Sequence, residues 1–351
     1  MPGRTRGLAR AAGPHPTSGP HGVVTVPKLS IGLAPGRHTV ELTRLAVELG
    51  CERVYLWDSP GVYEDVFVWL DRLAALTDAR LGTAVLVPNL RHVMTCASAI
   101  ATLEHRAPGR FAYGFGSGAT ARTVLGKRAL SLASTRRYFA QLRGLLRGDV
   151  VEIDGEQCQM IHWPGLAPER PIEVPLLWSA FGPKSLAIAR EVADGVMCVT
   201  DEPLGFDWNV RMVNGTVLER GDSLATARVR DAVGPWLVLP YHVAAQFDPD
   251  ALDRMPRGPE WRVASEALRP PDEVHLVVHE GHATHVNARD AMLLDVVGDL
   301  PFRSAFWIDD ADTIRARAEH AAANGVTEVL YAPIGPNAAD ELRRFAAVLA
   351  P

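Results

Sequence analysis

The chain has little of what marks nucleic-acid-binding or membrane-bound proteins. Only three of its 351 residues are lysines, and the net charge is −5. The sequence therefore has no basic tract of the kind that binds nucleic acid, and we do not expect a nucleic acid as a partner. No apolar run is long enough to cross a bilayer, so we expect no membrane partner either.

Cysteine clusters and a signal peptide are also missing. The four cysteines are far apart and form no C-x-x-C pair: Cys51, Cys96, Cys158 and Cys198. Neither a zinc site nor a disulfide framework is indicated, and reduced thiols predict a cytoplasmic protein. The first 28 residues lack the apolar segment of a signal peptide, so residues 1–28 are predicted to form a disordered leader.

What the sequence does contain is a regular alternation of strand and helix patterns. With 47% hydrophobic and 22% charged residues, it has the composition of a globular protein, and residues 29–351 are predicted to form one domain. Short apolar runs typical of buried strands alternate with amphipathic helical segments. The predicted strands cover residues 29–35, 53–58, 79–88, 111–118, 175–182, 194–200, 236–244 and 327–336.

This alternation predicts a parallel sheet, because parallel strands need helical crossovers. Eight such units predict an α/β fold, a (β/α)8 TIM barrel with insertions. One insertion is a hairpin over residues 150–163, turning at Asp154 and Gly155. A doubly wound open sheet is the alternative, since the sequence does not reveal strand order.

Candidate functional residues lie where the predicted strands end, which is the working face of such a barrel. Asp58 ends the second strand, where a carboxylate can exchange a proton or orient a ligand, and a helix cap or a salt bridge is the alternative. The run "GFGSG" over residues 114–118 follows the fourth strand, and its backbone N–H groups can face phosphate oxygens. It lacks the spacing of a dinucleotide fingerprint and is weak evidence for one, and glycines needed only for a tight turn are the alternative.

A histidine-rich segment, "HEGHATH", occupies residues 279–285. Its second histidine comes one residue too early for the H-E-x-x-H zinc motif, so we predict no metal site. His282 is the candidate for lining the site, and ordinary packing histidines are the alternative.

Three strings in order resemble the luciferase-like monooxygenase superfamily. They are "LGTAVLVPNLRH" from residue 81, "ASAIATLEHRAPGRFAYGFGSG" from residue 97 and "LLWSAFGPKSLAIAREVADGVM" from residue 176. The branch they resemble comprises F420-dependent reductases related to methylenetetrahydromethanopterin reductase. The resemblance implies a barrel that binds F420 or FMN, a homodimer, and a separate flavin or F420 reductase as a partner.

The resemblance also implies a set of cofactor-binding residues. A non-prolyl cis peptide bulge behind the cofactor ring is expected at Ala84–Val85, and the loop after the fifth strand is expected to hold the phosphate. The implied contacts are Ser59, Thr83, Ala84, Val85, Gly116, Ser117, Gly118, Ala119, Ala180, Phe181, Gly182 and Pro183.

The sequence departs from the sugar-phosphate dehydrogenases of this superfamily at four positions. Ser59 and Ala119 stand where those enzymes have a histidine and a glutamate, and Val199 and Glu202 replace a threonine and a lysine that bind the substrate phosphate. Oxidation of glucose 6-phosphate is therefore not expected.

The resulting hypothesis is an F420-dependent oxidoreductase that transfers a hydride between the deazaflavin and a small organic substrate. Asp58, Glu64 and His282 are the candidates for handling a proton, with Asp58 ranked first. The main rival hypothesis is an FMN-dependent monooxygenase that works with reduced flavin and oxygen. Two weaker hypotheses are a non-catalytic binding protein on the same barrel and a metal hydrolase.

Overall fold

Eight parallel strands form a closed barrel in the computed structural model, which describes residues 26–300 and 305–350. The barrel strands are β1 (Lys28–Leu33), β2 (Val54–Leu56), β3 (Leu81–Leu86), β4 (Phe111–Phe115), β7 (Leu176–Ser179), β8 (Gly195–Cys198), β9 (Asn209–Val213) and β12 (Glu328–Tyr331). Their order around the barrel is β1-β12-β9-β8-β7-β4-β3-β2, and every neighbouring pair is parallel. The predicted TIM barrel is confirmed, and the open sheet is excluded.

Helices surround the barrel and connect its strands. They are α1 (Thr39–Glu48), α2 (Val66–Leu76), α3 (Val93–Arg106), α4 (Ala119–Thr123), α5 (Leu132–Arg147), α6 (Pro183–Val192), α13 (Ala311–Ala323) and α14 (Ala338–Leu349). Local signals set several of their ends: Asp65 caps the first N–H groups of α2, and Gly148 ends α5 with a φ of 86°.

The core has two main layers because each barrel strand is buried on both faces. One layer lies between strands and outer helices and contains large side chains such as Phe139 and Trp178. The other fills the barrel interior with Tyr55, Met197 and Leu330 among its members. A filled interior leaves the carboxyl ends of the strands as the place for a ligand cleft.

The predicted hairpin insertion is also confirmed. Strands β5 (Val151–Ile153) and β6 (Glu156–Cys158) pair antiparallel. Asp154 and Gly155 both have positive φ between them, as a tight turn of this hand requires.

The predicted seventh strand over residues 236–244 is wrong. This segment is helical, covering the end of α7 (Ala227–Leu237) and most of α8 (Leu239–Phe247). A short apolar run looks the same in a buried helix and in a buried strand, so periodicity did not separate them. The actual seventh barrel strand is Asn209–Val213, whose apolar run is broken by the buried Arg211, paired with Asp201 at 2.7 Å.

An insert of short helices follows the seventh barrel strand. After α8 it contains α9 (Pro249–Arg254), α10 (Gly258–Glu266), α11 (Val274–Val278) and α12 (Ala288–Ala291). A short parallel pair, β10 (Gly215–Val217) and β11 (Trp307–Asp309), flanks the insert. The insert has its own apolar cluster, in which Tyr241, Trp261 and Leu293 are buried.

Most of the predicted leader over residues 1–28, namely residues 1–25, lies outside the described residues. The first strand begins at Lys28, one residue inside the predicted leader. Within residues 26–300 and 305–350, no helix has both the length and the apolar character needed to cross a membrane.

Candidate active site

A cleft of about 420 Å³ opens at the carboxyl ends of the barrel strands. This size is ordinary for a small-molecule or cofactor site. Most of its lining is apolar, with Asp58, Tyr63 and His282 as the ionisable side chains. Residues of β3, residues that follow β2 and β4, and residues of the insert meet there, so the barrel and the insert together shape it.

A cis peptide bond between Ala84 and Val85 forms part of the cleft wall. The pairing of β3 with β4 shifts register between Thr83 and Leu86, which is the bulge that accompanies this bond. The cis bulge implied by the resemblance is therefore present at the expected position.

Two glycines after β4 allow the backbone to pass close to β3. A Cβ on Gly116 would lie 2.7 Å from Val85 Cγ2, and one on Gly118 would lie 2.2 Å from Val87 Cγ1. Gly118 also has a φ of 74°, which favours glycine. Larger residues here would displace the β3 bulge or fill the cleft.

A second cavity of about 470 Å³ adjoins the first at the start of α6 and shares Ser117, Ser179 and Phe181 with it. Gly182 is the N-cap of α6 and has no side chain to satisfy the first N–H groups of the helix. Lys184 lines this cavity, and none of its lining residues is acidic. Helix dipole, N–H groups and lysine together favour an anionic group.

Asp58 lies in the cleft wall, but its carboxylate is already hydrogen-bonded to other residues of the protein. Both of its carboxylate oxygens accept from Arg91 Nη1, at 2.9 and 2.8 Å, and Val87 N–H donates to it at 3.3 Å. Burial raises the pKa of Asp58, with Arg91 and the Val87 N–H acting in the opposite direction. The contacts suit a group that holds the ends of β2 and β3 together.

His282 lies in the cleft wall with three polar contacts. Its Nε2 is 3.1 Å from Thr120 Oγ1 and its Nδ1 is 3.1 Å from His242 Nδ1, while Tyr63 donates to its carbonyl oxygen at 2.8 Å. Burial, together with nearby His242 and His279, holds the pKa of His282 well below 6.5. A buried neutral imidazole of this kind is suited to accepting or passing on a proton.

A sequence model of the luciferase-like monooxygenase family matches residues 12–235, more than half of the chain. The chain belongs to this family. The resemblance inferred from the sequence is thereby confirmed, and it extends to named relatives of the family.

A 5,10-methylenetetrahydromethanopterin reductase from Methanolobus tindarius is 33% identical over 174 residues, which cover 48% of this chain and 52% of the relative. An F420-dependent glucose-6-phosphate dehydrogenase from Beutenbergia cavernae is 32% identical over 183 residues, 47% of this chain and 53% of the relative. The chain thus spans about half the length of these curated relatives.

The solved structure of the coenzyme F420-dependent tetrahydromethanopterin reductase from Methanopyrus kandleri aligns over 92% of this luciferase-like chain and 97% of its own. The TM-score is 0.61 and the identity 19%. At this identity the likeness shows the fold alone.

Most of the predicted cofactor-binding residues of this luciferase-like chain meet at the two cavities. Those lining one or both are Ser59, Ala84, Val85, Gly116, Ser117, Gly118, Ala119, Phe181, Gly182 and Pro183. Thr83 and Ala180 are buried and line neither. Thr83 instead donates to the Gly114 carbonyl oxygen at 3.2 Å.

Glu64 does not reach either cavity. Its side chain is exposed and accepts a hydrogen bond from the Trp69 indole at 2.6 Å. This contact connects the loop that precedes α2 with the helix itself. Of the three predicted proton-handling groups, the structure brings only Asp58 and His282 to the cleft.

Apart from His282, sequence reasoning missed the contribution of the insert. Trp236, which the apolar pattern assigns to a strand, lines the cleft beside Trp57 with ring centroids 5.7 Å apart. Its indole N–H is buried and has no hydrogen-bond partner among the described residues. Thr120, which follows the glycine run, was also missed, because no sequence signal connected it with His282.

A non-catalytic barrel predicts that side chains block the turns after the fourth and fifth barrel strands. Gly116 and Gly182 instead line open cavities. A metal hydrolase requires a ligand set, and within the described residues no group of three or more His, Cys, Asp or Glu side chains lies close enough to hold a metal ion.

Proposed function

We propose that this chain is an F420-dependent oxidoreductase that transfers a hydride between the deazaflavin and a small organic substrate. The observation that carries the proposal is the apolar cleft walled by the cis Ala84–Val85 bulge and joined to the cavity at the start of α6. The proposed cofactor has two matching parts, a flat tricyclic ring for the apolar cleft and a phosphate-bearing tail for the start of α6. The F420-dependent reductase and dehydrogenase among the relatives support the choice of cofactor.

The residues present fit such a cofactor. Val85 and Gly116 would contact the ring, and the Trp236 indole N–H is a donor without a partner among the described residues. Gly182, Pro183 and Lys184 would hold the phosphate at the start of α6. When bound, the deazaflavin supplies a carbon centre that exchanges hydride and reacts poorly with oxygen.

The protein's own contribution is positioning and exclusion of water. Trp57 and Trp236 form an apolar wall, and the Tyr63 hydroxyl fastens the His282 loop over the cleft. His282 is placed to exchange a proton with the substrate, whereas Asp58 stays paired with Arg91. We therefore rank His282 above Asp58 as the proton-handling group.

The substrate we propose is not a sugar phosphate. Ser59 and Ala119 line the cleft where sugar-phosphate dehydrogenases of the family carry a histidine and a glutamate. Val199, which replaces a phosphate-binding threonine, also lines it, so this end of the cleft is more apolar. Glucose 6-phosphate should therefore not reduce the cofactor, despite the similarity to a relative named for that activity.

Titration of the purified protein with F420 and with FMN, followed by fluorescence, tests the cofactor. We expect F420 to bind at least about tenfold more tightly, a difference of about 1.4 kcal/mol. Gly116→Val should abolish binding because its side chain would meet Val85, whereas Gly36→Val, with no atom within 4 Å of its Cβ, should not. Tight FMN binding without F420 binding would reverse the assignment.

A second candidate, an FMN-dependent monooxygenase, is favoured by the family match itself, since the family is described as luciferase-like monooxygenases. The same cleft and phosphate cradle would serve FMN. Oxygen consumption in the presence of reduced FMN is the measurement that supports it. The homodimer and the separate flavin or F420 reductase implied by the resemblance stay predictions.

A further inference from the structure

A row of hydrogen-bonded side chains leads from the core of the insert to the cleft. Asp290 Oδ2 is 3.1 Å from His242 Nε2, and His242 Nδ1 is 3.1 Å from His282 Nδ1. His282 Nε2 is in turn 3.1 Å from Thr120 Oγ1. The carboxylate and both imidazoles are buried, and only His282 and Thr120 line the cleft.

The charges around Asp290 make it the anionic end of this row. Trp261 Nε1 donates to Oδ1 at 2.8 Å, Arg289 Nε donates at 3.2 Å, and Asn287 Nδ2 donates to Oδ2 at 3.1 Å. Although burial favours the neutral acid, the His242 hydrogen bond and the Arg289 charge hold the pKa of Asp290 below its usual range.

An anionic Asp290 sets the direction of every hydrogen bond in the row. A carboxylate only accepts, so His242 donates from Nε2 and, when neutral, accepts at Nδ1. His282 must then donate from Nδ1, which leaves its Nε2 as an acceptor for the Thr120 hydroxyl. In this state the row can accept one further proton, and His282 Nε2 at its cleft end is the atom that accepts it.

A second state follows when one proton enters at His282 Nε2. The Nδ1 proton of His282 moves to His242 Nδ1, and the positive charge comes to rest on His242 beside the Asp290 carboxylate. The charge does not stay on His282, where burial and the neighbouring His279 oppose it. An imidazolium paired with a buried carboxylate is the more stable location.

We propose that Asp290, His242, His282 and Thr120 form a proton relay for the reaction in the cleft. The inference rests on the proposed function and adds a substrate class to it: a compound whose reacting carbon carries a hydroxyl or amino group. In the oxidative direction the C–H bond would break, and the deazaflavin, when bound, would take up its hydride. The X–H proton passes to Thr120 Oγ1, the Thr120 proton passes to His282 Nε2, and a C=X double bond forms.

The four members of the relay have different roles. Thr120 and His282 contact the cleft and are the catalytic residues of the relay. His242 and Asp290 act through His282 and are positioning residues, because they set its tautomer and receive the charge. The other charged or titratable groups that face the relay are Arg289, His279 and Tyr63, and His275 lies behind His279.

Long-range ¹H–¹⁵N NMR of protein labelled at histidine nitrogens tests the arrangement without any cofactor. At neutral pH we expect His282 to carry its proton on Nδ1 and His242 on Nε2. As the pH falls, both rings should take up a single shared proton with one common midpoint. A proton on His282 Nε2, or two separate midpoints, overturns the proposal. The His242→Gln and His282→Gln variants assign the signals.

Asp290→Asn separates a relay from a merely structural cluster. Removing the carboxylate should lower the common midpoint by about 1–3 pH units, because an adjacent opposite charge is lost. The exposed His320, which contacts Asn324 outside the insert, should keep its midpoint and serves as the internal control. An unchanged midpoint for His242 and His282 overturns the proposal. Should the variant fail to fold, the wild-type tautomers still decide.

Turnover tests the substrate class with propan-2-ol, cyclohexanol and benzylamine as probes and F420 as the oxidant. We expect reduction of F420 by at least one probe. In Asp290→Asn we expect kcat to fall about 10²-fold, with a shifted pH profile and KM within about twofold. No reduction by any probe overturns the substrate class.

The two proposals fail in different ways. Absence of F420 binding contradicts the proposed function and leaves the NMR result for the relay intact. Binding of F420 together with uncoupled histidines contradicts the relay alone.

Discussion

Gly118 shows how a single backbone conformation supports the cleft. Its φ of 74° lies in the left-handed region, and it passes close to the Val87 side chain after β3. The same position also starts α4 and thereby sets the direction in which Thr120 enters the cleft. A side chain at this position would disturb both the bulge on β3 and the end of the relay.

Gly118→Ala should therefore be strongly destabilising. The left-handed conformation and a Cβ 2.2 Å from Val87 Cγ1 together predict a loss of about 2 kcal/mol or more in the free energy of unfolding. Gly36→Ala, with nothing within 4 Å, should change it by less than about 0.5 kcal/mol. Urea denaturation of both variants gives the comparison, and equal stabilities would contradict the argument.

His279 makes the stability of the protein dependent on pH. Burial, with the neighbouring His242, His275 and Arg289 charges, lowers its pKa from 6.5 to about 4. Below pH 6.5 the unfolded chain takes up a proton that the folded state refuses until about pH 4, so stability falls as the pH falls through this window. The loss from this group between pH 7 and pH 5 is about 2 kcal/mol.

The free energy of unfolding measured at pH 7 and pH 5 checks this prediction. His279→Gln should show a smaller decrease than the wild type by about 2 kcal/mol, because the titrating ring is gone. The exposed His320→Gln variant is the matched control and should keep the wild-type decrease. A decrease that is the same in all three proteins would refute the assignment to His279.

Among the elements, α6 has the clearest functional design. Its N-cap is a glycine in extended conformation without a side-chain hydrogen bond, and Pro183 follows in its first turn. Such a start gives a well-ordered helix whose first N–H groups are left for a ligand. Ser185, which accepts from the Trp178 indole at 2.8 Å, fixes this turn to β7.

Lys184→Met tests the anion cradle at this element. We expect F420 affinity to fall about five- to tenfold, since one charge-assisted contact to the phosphate is lost. Affinity for the same deazaflavin chromophore without its phosphate should not change. Lys28→Met is the control, because Lys28 pairs with Glu52 at the opposite end of the barrel. Equal losses for the two chromophores would place the phosphate elsewhere.

At the scale of the whole molecule, a closed barrel is combined with a helical insert. The barrel strands are hydrogen-bonded on both sides around the full circle. The insert from α7 to α12 is built of short helices around its own apolar cluster. It carries both histidines of the relay, so the part of the fold that is built of short helices completes the cleft.

Hydrogen exchange should reveal this difference in local stability. Amides in α8, α10 and α11 should exchange at least about tenfold faster than those in β3, β4 and β7, which corresponds to about 1.4 kcal/mol less protection. Addition of F420 should slow exchange around His282. Equal protection in the barrel and the insert would show that the two parts open together.

Much of the fold follows from local sequence patterns. The βα alternation, the hairpin at Asp154–Gly155 and the glycine-rich strand ends are short-range signals, because side-chain periodicity and positive φ are properties of a few neighbouring residues. The cleft around Ala84–Val85 could be expected because the family resemblance is carried by contiguous strings. Segment 236–244 was wrongly predicted to be a strand, since its apolar run suits a buried helix equally well.

The sequence by itself thus determined the alternation of strands and helices, most of the elements and the strand ends that form the cleft, whereas the closure of the sheet into a barrel was seen only in the tertiary structure. Only the tertiary structure decided that Arg91 pairs with the Asp58 carboxylate and that Glu64 accepts a hydrogen bond from Trp69. It also decided that one row of hydrogen bonds connects Asp290, His242, His282 and Thr120. Most of these contacts join residues far apart along the chain, and no local pattern encodes which distant side chain will satisfy a buried charge or imidazole.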